Sequence, residues 1–184
     1  LHGPPNPLRV ESRAVSADFS VYVDPDLPAA KLVVGDEERV LEVGQWSDWV
    51  PVSLALMPTQ SIKAIARFYL KQVRPTFGLY VTPLNLDPMA PVMPISTPSS
   101  FAADLAPSTG RFYTQGMPED TKAYEAGVLS TDEFLAQARL AQDEVVRQYG
   151  HVLGEFDEGV LFYYFGNGDQ LSHMTWRAMD PGHP

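Results

Sequence analysis

Apolar and polar positions alternate with a period of two along much of the first eighty residues, which predicts strands. Residues 19–23 place Phe19, Val21 and Val23 on one side, and Asp24-Pro25-Asp26 then signals a turn. Residues 31–34 and 39–43 flank Gly35-Asp36-Glu37-Glu38, the pattern of a hairpin. Residues 52–56 and 77–81 predict two further strands. In residues 62–70, Ile62, Ala64, Ala66, Phe68 and Leu70 alternate with Lys63, Ile65, Arg67 and Tyr69, which favours strand over helix and sets the basic side chains on one face. Lys63, Arg67, Lys71 and Arg74 also recur at helical spacing, and are expected to form a solvated face. Trp46 and Trp49, separated by small polar residues, predict a bend where both indoles cap a core.

The pattern changes after residue 83. Pro83, Pro88, Pro91, Pro94, Pro98 and Pro107 punctuate a segment whose interleaved apolar residues suggest a linker wrapping one domain onto another. Ser130-Thr131-Asp132-Glu133 is a capping box that opens a helix over 131–149. Phe134, Leu135, Ala138, Ala141, Val145 and Tyr149 form its apolar stripe, and Gly150 or Gly154 is expected to end it. Residues 160–165 are apolar throughout, as in a parallel strand covered on both faces. No partner strands for it are evident, which suggests an incomplete sheet.

The fold expected is α+β: an antiparallel β-domain, sandwich or barrel-like, followed by an α/β segment of an incomplete catalytic domain. Its predicted parts are a lead-in over 1–17, where Pro4, Pro5 and Pro7 oppose regular pairing, a β insertion over 18–83, a linker over 84–108 and the α/β segment over 109–184. The Leu1 start and the Pro- and Gly-rich ends fit an excised domain.

At 184 residues and 45% hydrophobic composition, the chain is long enough for a real core. A net charge of -10 argues against a nucleic-acid surface or an anionic membrane, because no basic patch is available to release counterions. With no cysteine there is no disulfide, thiolate metal site or cysteine nucleophile. No signal peptide or membrane-spanning run is recognised, and the compartment stays open. No Walker A sequence, dinucleotide-binding glycine pattern, zinc-protease helix or nucleophile elbow is found.

The candidate chemistry lies after the apolar run. Gly166-Asn167-Gly168 leads to Asp169 and, four residues on, His173. A carboxylate and an imidazole at this spacing can share one metal ion on a helix turn or compact loop. Ligands in α/β sheets gather beyond the carboxyl ends of strands, where Asp169 is expected. On spacing alone, Asp169 can equally be a helix cap and His173 a surface residue.

The stretch GDQLSHMTWRAMDPGHP resembles a segment of the type I phosphodiesterase/nucleotide pyrophosphatase family, in the alkaline phosphatase superfamily. GQWSDWVPV (44–52) is similar to part of the β insertion of large bacterial members, and residues 109–135 resemble the lead into their helix. The resemblance implies a two-metal site, usually zinc, that hydrolyses phosphate esters through a Thr or Ser nucleophile and a covalent phospho-enzyme. It maps Asp169 and His173 onto two ligands of one metal, the one that activates water in the second step. It places the nucleophile and the remaining ligands outside these residues, so this chain is expected to be inactive alone. Gly168 and Gln170 depart from the pattern, which has threonine and a basic residue there. His183 is expected to be structural or exposed rather than a ligand.

A different class of function remains open: a β binding module for glycan or protein, with Trp46, Trp49, Tyr69 and Tyr80 as an aromatic platform and the rest as a docking segment. An exposed Tyr149 or the Phe162–Phe165 run would make the isolated chain a homo-oligomer.

Overall fold

The computed structural model describes residues 1–6, 14–57, 59–180 and 182, and shows an α+β chain with antiparallel sheets. It divides into two compact units, 1–97 and 98–184, so the division falls inside the segment expected to be linker.

The first unit is built from strands β1 (His2–Pro5), β2 (Ala14–Ser16), β3 (Ser20–Val23), β4 (Ala29–Val34), β5 (Glu37–Glu42), β6 (Val50–Met57), β7 (Gln60–Ala66), β8 (Phe68–Gln72), β9 (Gly78–Val81) and β10 (Asn85–Leu86). The sheet orders are β3-β4-β5, β10-β7-β6, β8-β9 and β1-β2, all antiparallel. The expected hairpin is β4–β5, with Val34 opposite Glu37 and Gly35 at φ 57 in the turn, a conformation that favours glycine.

The core follows from alternation. Val50, Val52 and Leu54 of β6 stand opposite Ala66, Ala64 and Ile62 of β7. These residues cluster with Ala30, Leu32 and Val34 of β4, Leu41 of β5, and Phe68 and Leu70 of β8. Ala66 and Phe68 both face this core across Arg67, so β7 and β8 are one bent strand that changes partners. Before the bend it pairs with β6 and β10. After it, β8 pairs with β9 and with the segment that follows β5, through Gly44 N–H to Leu70 O at 2.8 Å and Ser47 N–H to Phe68 O at 2.7 Å.

The opposite face of this strand departs from expectation. Lys63 is exposed, but Ile65, Arg67 and Tyr69 are buried. The polar-looking face is therefore not solvated at its centre. The expected lead-in also differs, because β1 pairs with β2 despite its prolines: the register joins His2 to Ser16 and Pro5 to Ala14. An edge strand tolerates residues that lack an N–H. Val15 enters the core from β2. Residues 7–13, and Pro7 among them, lie outside the described residues.

The second unit holds helices α1 (Phe101–Thr109), α2 (Thr121–Glu125), α3 (Thr131–Glu155) and α4 (Asn167–Thr175), with a 3-10 turn at Trp176–Ala178. Helix α1 forms within the expected linker. Ala102, Leu105, Ala106 and Thr109 are buried at i, i+3, i+4 and i+7, a helical pattern that the prolines obscured. Helix α3 starts as expected, with the Ser130–Glu133 capping box complete. It runs past Gly150 and Gly154 to Glu155, because neither glycine takes the positive φ of a helix stop; Gly159, at φ 97, turns the chain instead. Leu135, expected on the buried stripe, is more than a third exposed, whereas Gln137 and Glu144 are buried.

The expected buried strand over 160–165 does not form. Val160 is 95% and Phe162 84% exposed, and no strand flanks them among the described residues. A strand buried on both faces needs neighbours on both edges and cover above and below, and among the described residues the second unit contains no strand. Tyr163 and Phe165 both reach Tyr149, with ring centroids 5.1 and 5.2 Å away, so the segment is extended along one side of the helix. Tyr149, expected on the apolar stripe of the helix, is half-buried and packs against these rings.

Candidate functional site

Helix α4 brings the two expected ligands together. Asp169 is its third residue and His173 lies one turn later, so both side chains project from one face. His173 Nε2 lies 3.5 Å from Asp169 Oδ1, and the side chains are 78% and 71% exposed. Asp169 is not the helix cap; that position is Gly166, which offers no side-chain bond. The placement still favours the helix, with a carboxylate in the first turn and an imidazole in the last.

The separation suits chelation. Ligand bonds of about 2.0–2.2 Å at tetrahedral angles put two donor atoms roughly 3.3–3.5 Å apart. A closed zinc site requires more than two protein donors, and no cluster of three or more His, Asp or Glu able to hold a metal occurs among the described residues. Asp169 and His173 by themselves supply two donor atoms. His183 lies outside the described residues.

A cleft of about 370 Å3 opens beside Asp169 in the second unit. Its walls include Tyr113, Glu119, Glu144, Tyr164 and Asn167, and among the described residues no lysine, arginine or histidine lines it. Glu119, Glu144 and Asn167 are buried. Glu144 Oε2 accepts the Tyr113 N–H at 2.9 Å. Gln137 Oε1 accepts the Asp120 N–H at 2.9 Å, while its Nε2 donates to Pro118 O at 2.8 Å. These bonds pin residues 113–120 onto α3. Asn167 Nδ2 donates to Glu119 Oε1 in a short contact, which ties the first turn of α4, and hence Asp169, to the same segment.

The sequence pattern did not mark this polar network. Gln137 and Glu144 occupy stripe positions beside Phe134, Ala138 and Ala141, and a polar residue at a stripe position is the available signal. The Glu119–Asn167 contact spans 48 residues and leaves no local trace.

Gly168, one of the two departures from the family pattern, is helical, and a Cβ added there would meet no atom within 4 Å.

The four rings considered as a binding platform turn inward. Trp49, Tyr69 and Tyr80 are buried and Trp46 is half-buried. Trp46 packs on Tyr69 and Tyr80 at centroid distances of 4.8 and 5.6 Å, and Arg67 lies over Trp49. They act as core, with the Trp46 indole N–H buried and without a hydrogen-bond partner among the described residues.

Among the described residues no helix is long and apolar enough to cross a membrane. Comparison of the chain with family models, curated proteins and solved structures finds no match.

Proposed function

We propose that this chain is part of a metal-dependent phosphodiesterase or nucleotide-pyrophosphatase-like hydrolase, in which Asp169 and His173 hold one divalent ion, zinc by resemblance. The observation that carries the reading is the 3.5 Å approach of an imidazole nitrogen and a carboxylate oxygen on one helix face, within the stretch that resembles the family. The electrostatics agree. The adjacent cleft has carboxylates and, among the described residues, no basic side chain, and the chain carries -10, so an anionic phosphate ester is repelled there unless a cation is held. Bound metal would polarise the phosphoryl oxygens and lower the pKa of water. The chain's own residues grip the ion, and the Glu119–Asn167 contact fixes the helix that carries them. The nucleophile and other ligands belong to residues outside this sequence, and the chain alone hydrolyses no ester.

Zinc titration followed by the imidazole NMR signals of His173 tests the grip. Zinc is expected to perturb His173 selectively, and Asp169→Ala or His173→Ala to abolish the selective response. A His173 signal indifferent to zinc overturns the reading. Turnover of bis-p-nitrophenyl phosphate by the purified chain, lost in Asp169→Ala, overturns the inactivity.

A further inference from the structure

The Glu119–Asn167 contact holds the one asparagine of the chain that precedes a glycine: Asn6 precedes Pro7, Asn85 precedes Leu86 and Asn167 precedes Gly168. In an Asn-Gly pair the backbone nitrogen of the glycine can attack the asparagine amide carbon, and no Cβ hinders the approach. The structure leaves that nitrogen available. Gly168 is exposed, and a Cβ built on it meets no atom within 4 Å. It is the second residue of α4, where an N–H has no acceptor within the helix, and the capping residue Gly166 has no side chain to supply one. The asparagine is restrained instead. Ring closure requires the Asn167 ψ to leave the helical range, so that the Gly168 nitrogen meets Cγ. Asn167 is buried, and among the described residues its side chain is held by the hydrogen bond to Glu119.

We infer that Asn167–Gly168 is a deamidation site guarded by Glu119, and that its modification releases α4. The Gly168 nitrogen forms a bond to Asn167 Cγ, and the side-chain amide leaves as ammonia, carrying away the Gly168 amide proton. Water then opens the cyclic imide to aspartate or isoaspartate. Water is the only co-reactant, and nothing is oxidised or reduced. Either product removes the anchor. Aspartate replaces the donor Nδ2 by a carboxylate oxygen facing Glu119, so a hydrogen bond becomes a buried contact between like charges. Isoaspartate adds a methylene to the backbone and breaks the first turn of the helix. The first turn of α4 then loses its tie to Glu119, and with it the placement of Asp169 and His173. This consequence is independent of any metal at that pair.

Peptide mapping by mass spectrometry of the 184-residue chain, aged in neutral buffer, tests this through the mass change from amide to acid at Asn167. The folded wild type is expected to convert at least about tenfold more slowly than the same chain in urea. Glu119→Ala should raise the folded-state rate about tenfold, because loss of the acceptor makes the open turn more populated. Glu119→Gln keeps an acceptor oxygen and should stay near the wild-type rate. Asn167→Asp, which installs one product, should accelerate hydrogen exchange over 167–175 and leave α3 before residue 145 unchanged. A folded wild-type rate equal to or above the rate in urea overturns the proposal. A folded Glu119→Ala chain that converts at the wild-type rate overturns the guard, and an Asn167→Asp chain whose α4 exchanges as slowly as wild type overturns the release. The urea comparison and Asn167→Asp need no variant at Glu119, so they decide the matter even where Glu119→Ala does not fold.

Discussion

The guanidinium carbon of Arg67 lies 4.8 Å from the ring centroid of Trp49. Arg67 is 6% exposed, its Nη1 donates to Ser47 O at 2.8 Å, and its backbone N–H reaches Thr82 Oγ1 at 2.9 Å. The residue sits at the bend where one strand leaves the β6 pairing and enters the β9 pairing. Its side chain fills space as well as carrying charge. Arg67→Ala is expected to destabilise the first unit by about 2–4 kcal/mol, through lost packing, a lost cation–π contact and an unsatisfied carbonyl. Arg67→Lys should recover less than half, because an ammonium cannot stack flat on the indole while reaching Ser47. Urea unfolding followed by tryptophan fluorescence checks both values, and equal stability of all three proteins would contradict the packing role.

The start of α3 offers a second test. Ser130 Oγ accepts the Glu133 N–H at 3.3 Å, and Glu133 Oε2 accepts the Ser130 N–H at 2.7 Å. Ser130→Ala should cost about 0.5–2 kcal/mol of stability in the second unit. Glu133→Gln should cost less, since an amide oxygen can still accept that bond. Thermal unfolding read at 222 nm distinguishes the two variants.

The Tyr163 phenol is held above the ordinary tyrosine pKa by burial. A raised folded-state value means that stability is fully present below the unfolded tyrosine pKa. It is lost as pH rises through the folded one. The aromatic packing on Tyr149 should therefore weaken only in alkali. Absorbance titration near 295 nm should lose a high-pH component on Tyr163→Phe substitution, and identical curves for the two proteins would contradict the raised value. Asp24 behaves oppositely: hydrogen bonds from the Leu27 and Asp26 backbone N–H groups hold its carboxyl below the usual range. Its contribution is present at neutral pH and is lost only as pH falls through that lowered value.

These residues show what local pattern can and cannot reveal. The β4–β5 hairpin, the alternation from Ile62 to Leu70 and the capping box at Ser130 were legible because each is fixed within a few residues by turn chemistry, pleat or cap. The Asp169–His173 contact was legible because four residues is one helical turn. Arg67 was misjudged because its neighbours Ser47 and Trp49 lie about twenty residues away in sequence. The run at 160–165 was misjudged because apolar character announces a wish for cover and says nothing of whether cover is present. The floor of the cleft escaped for the same reason as Arg67: Glu119 meets Asn167 across 48 residues, and Tyr113 meets Glu144 across 31.

The Glu119–Asn167 contact joins two buried polar side chains and anchors a helix whose capping residue, Gly166, contributes no side chain. Glu119→Ala leaves the Asn167 amide buried without its acceptor, which should cost about 1–3 kcal/mol. The loss should be concentrated in α4, which has few buried contacts of its own. Hydrogen exchange should accelerate over 167–175 and remain unchanged in α3 before residue 145. Uniform acceleration across the second unit would show that the contact supports the whole unit rather than this helix.

Gly168 tests whether the first turn of α4 is held by geometry or merely tolerated. It is helical, exposed, and has open space where a Cβ would project. Glycine in a helix lies about 0.5–1 kcal/mol below alanine, chiefly because the unfolded chain has more freedom to lose. Gly168→Ala should therefore stabilise α4 by about that amount, slow amide exchange over 169–173, and leave the 3.5 Å approach of His173 to Asp169 in place. If the helix that carries the two ligands is ordered in this way, the selective zinc response of His173 should strengthen in Gly168→Ala and remain absent in the double variant with Asp169→Ala. A zinc response that weakens in Gly168→Ala would mean that the pair requires a looser turn than the helix provides.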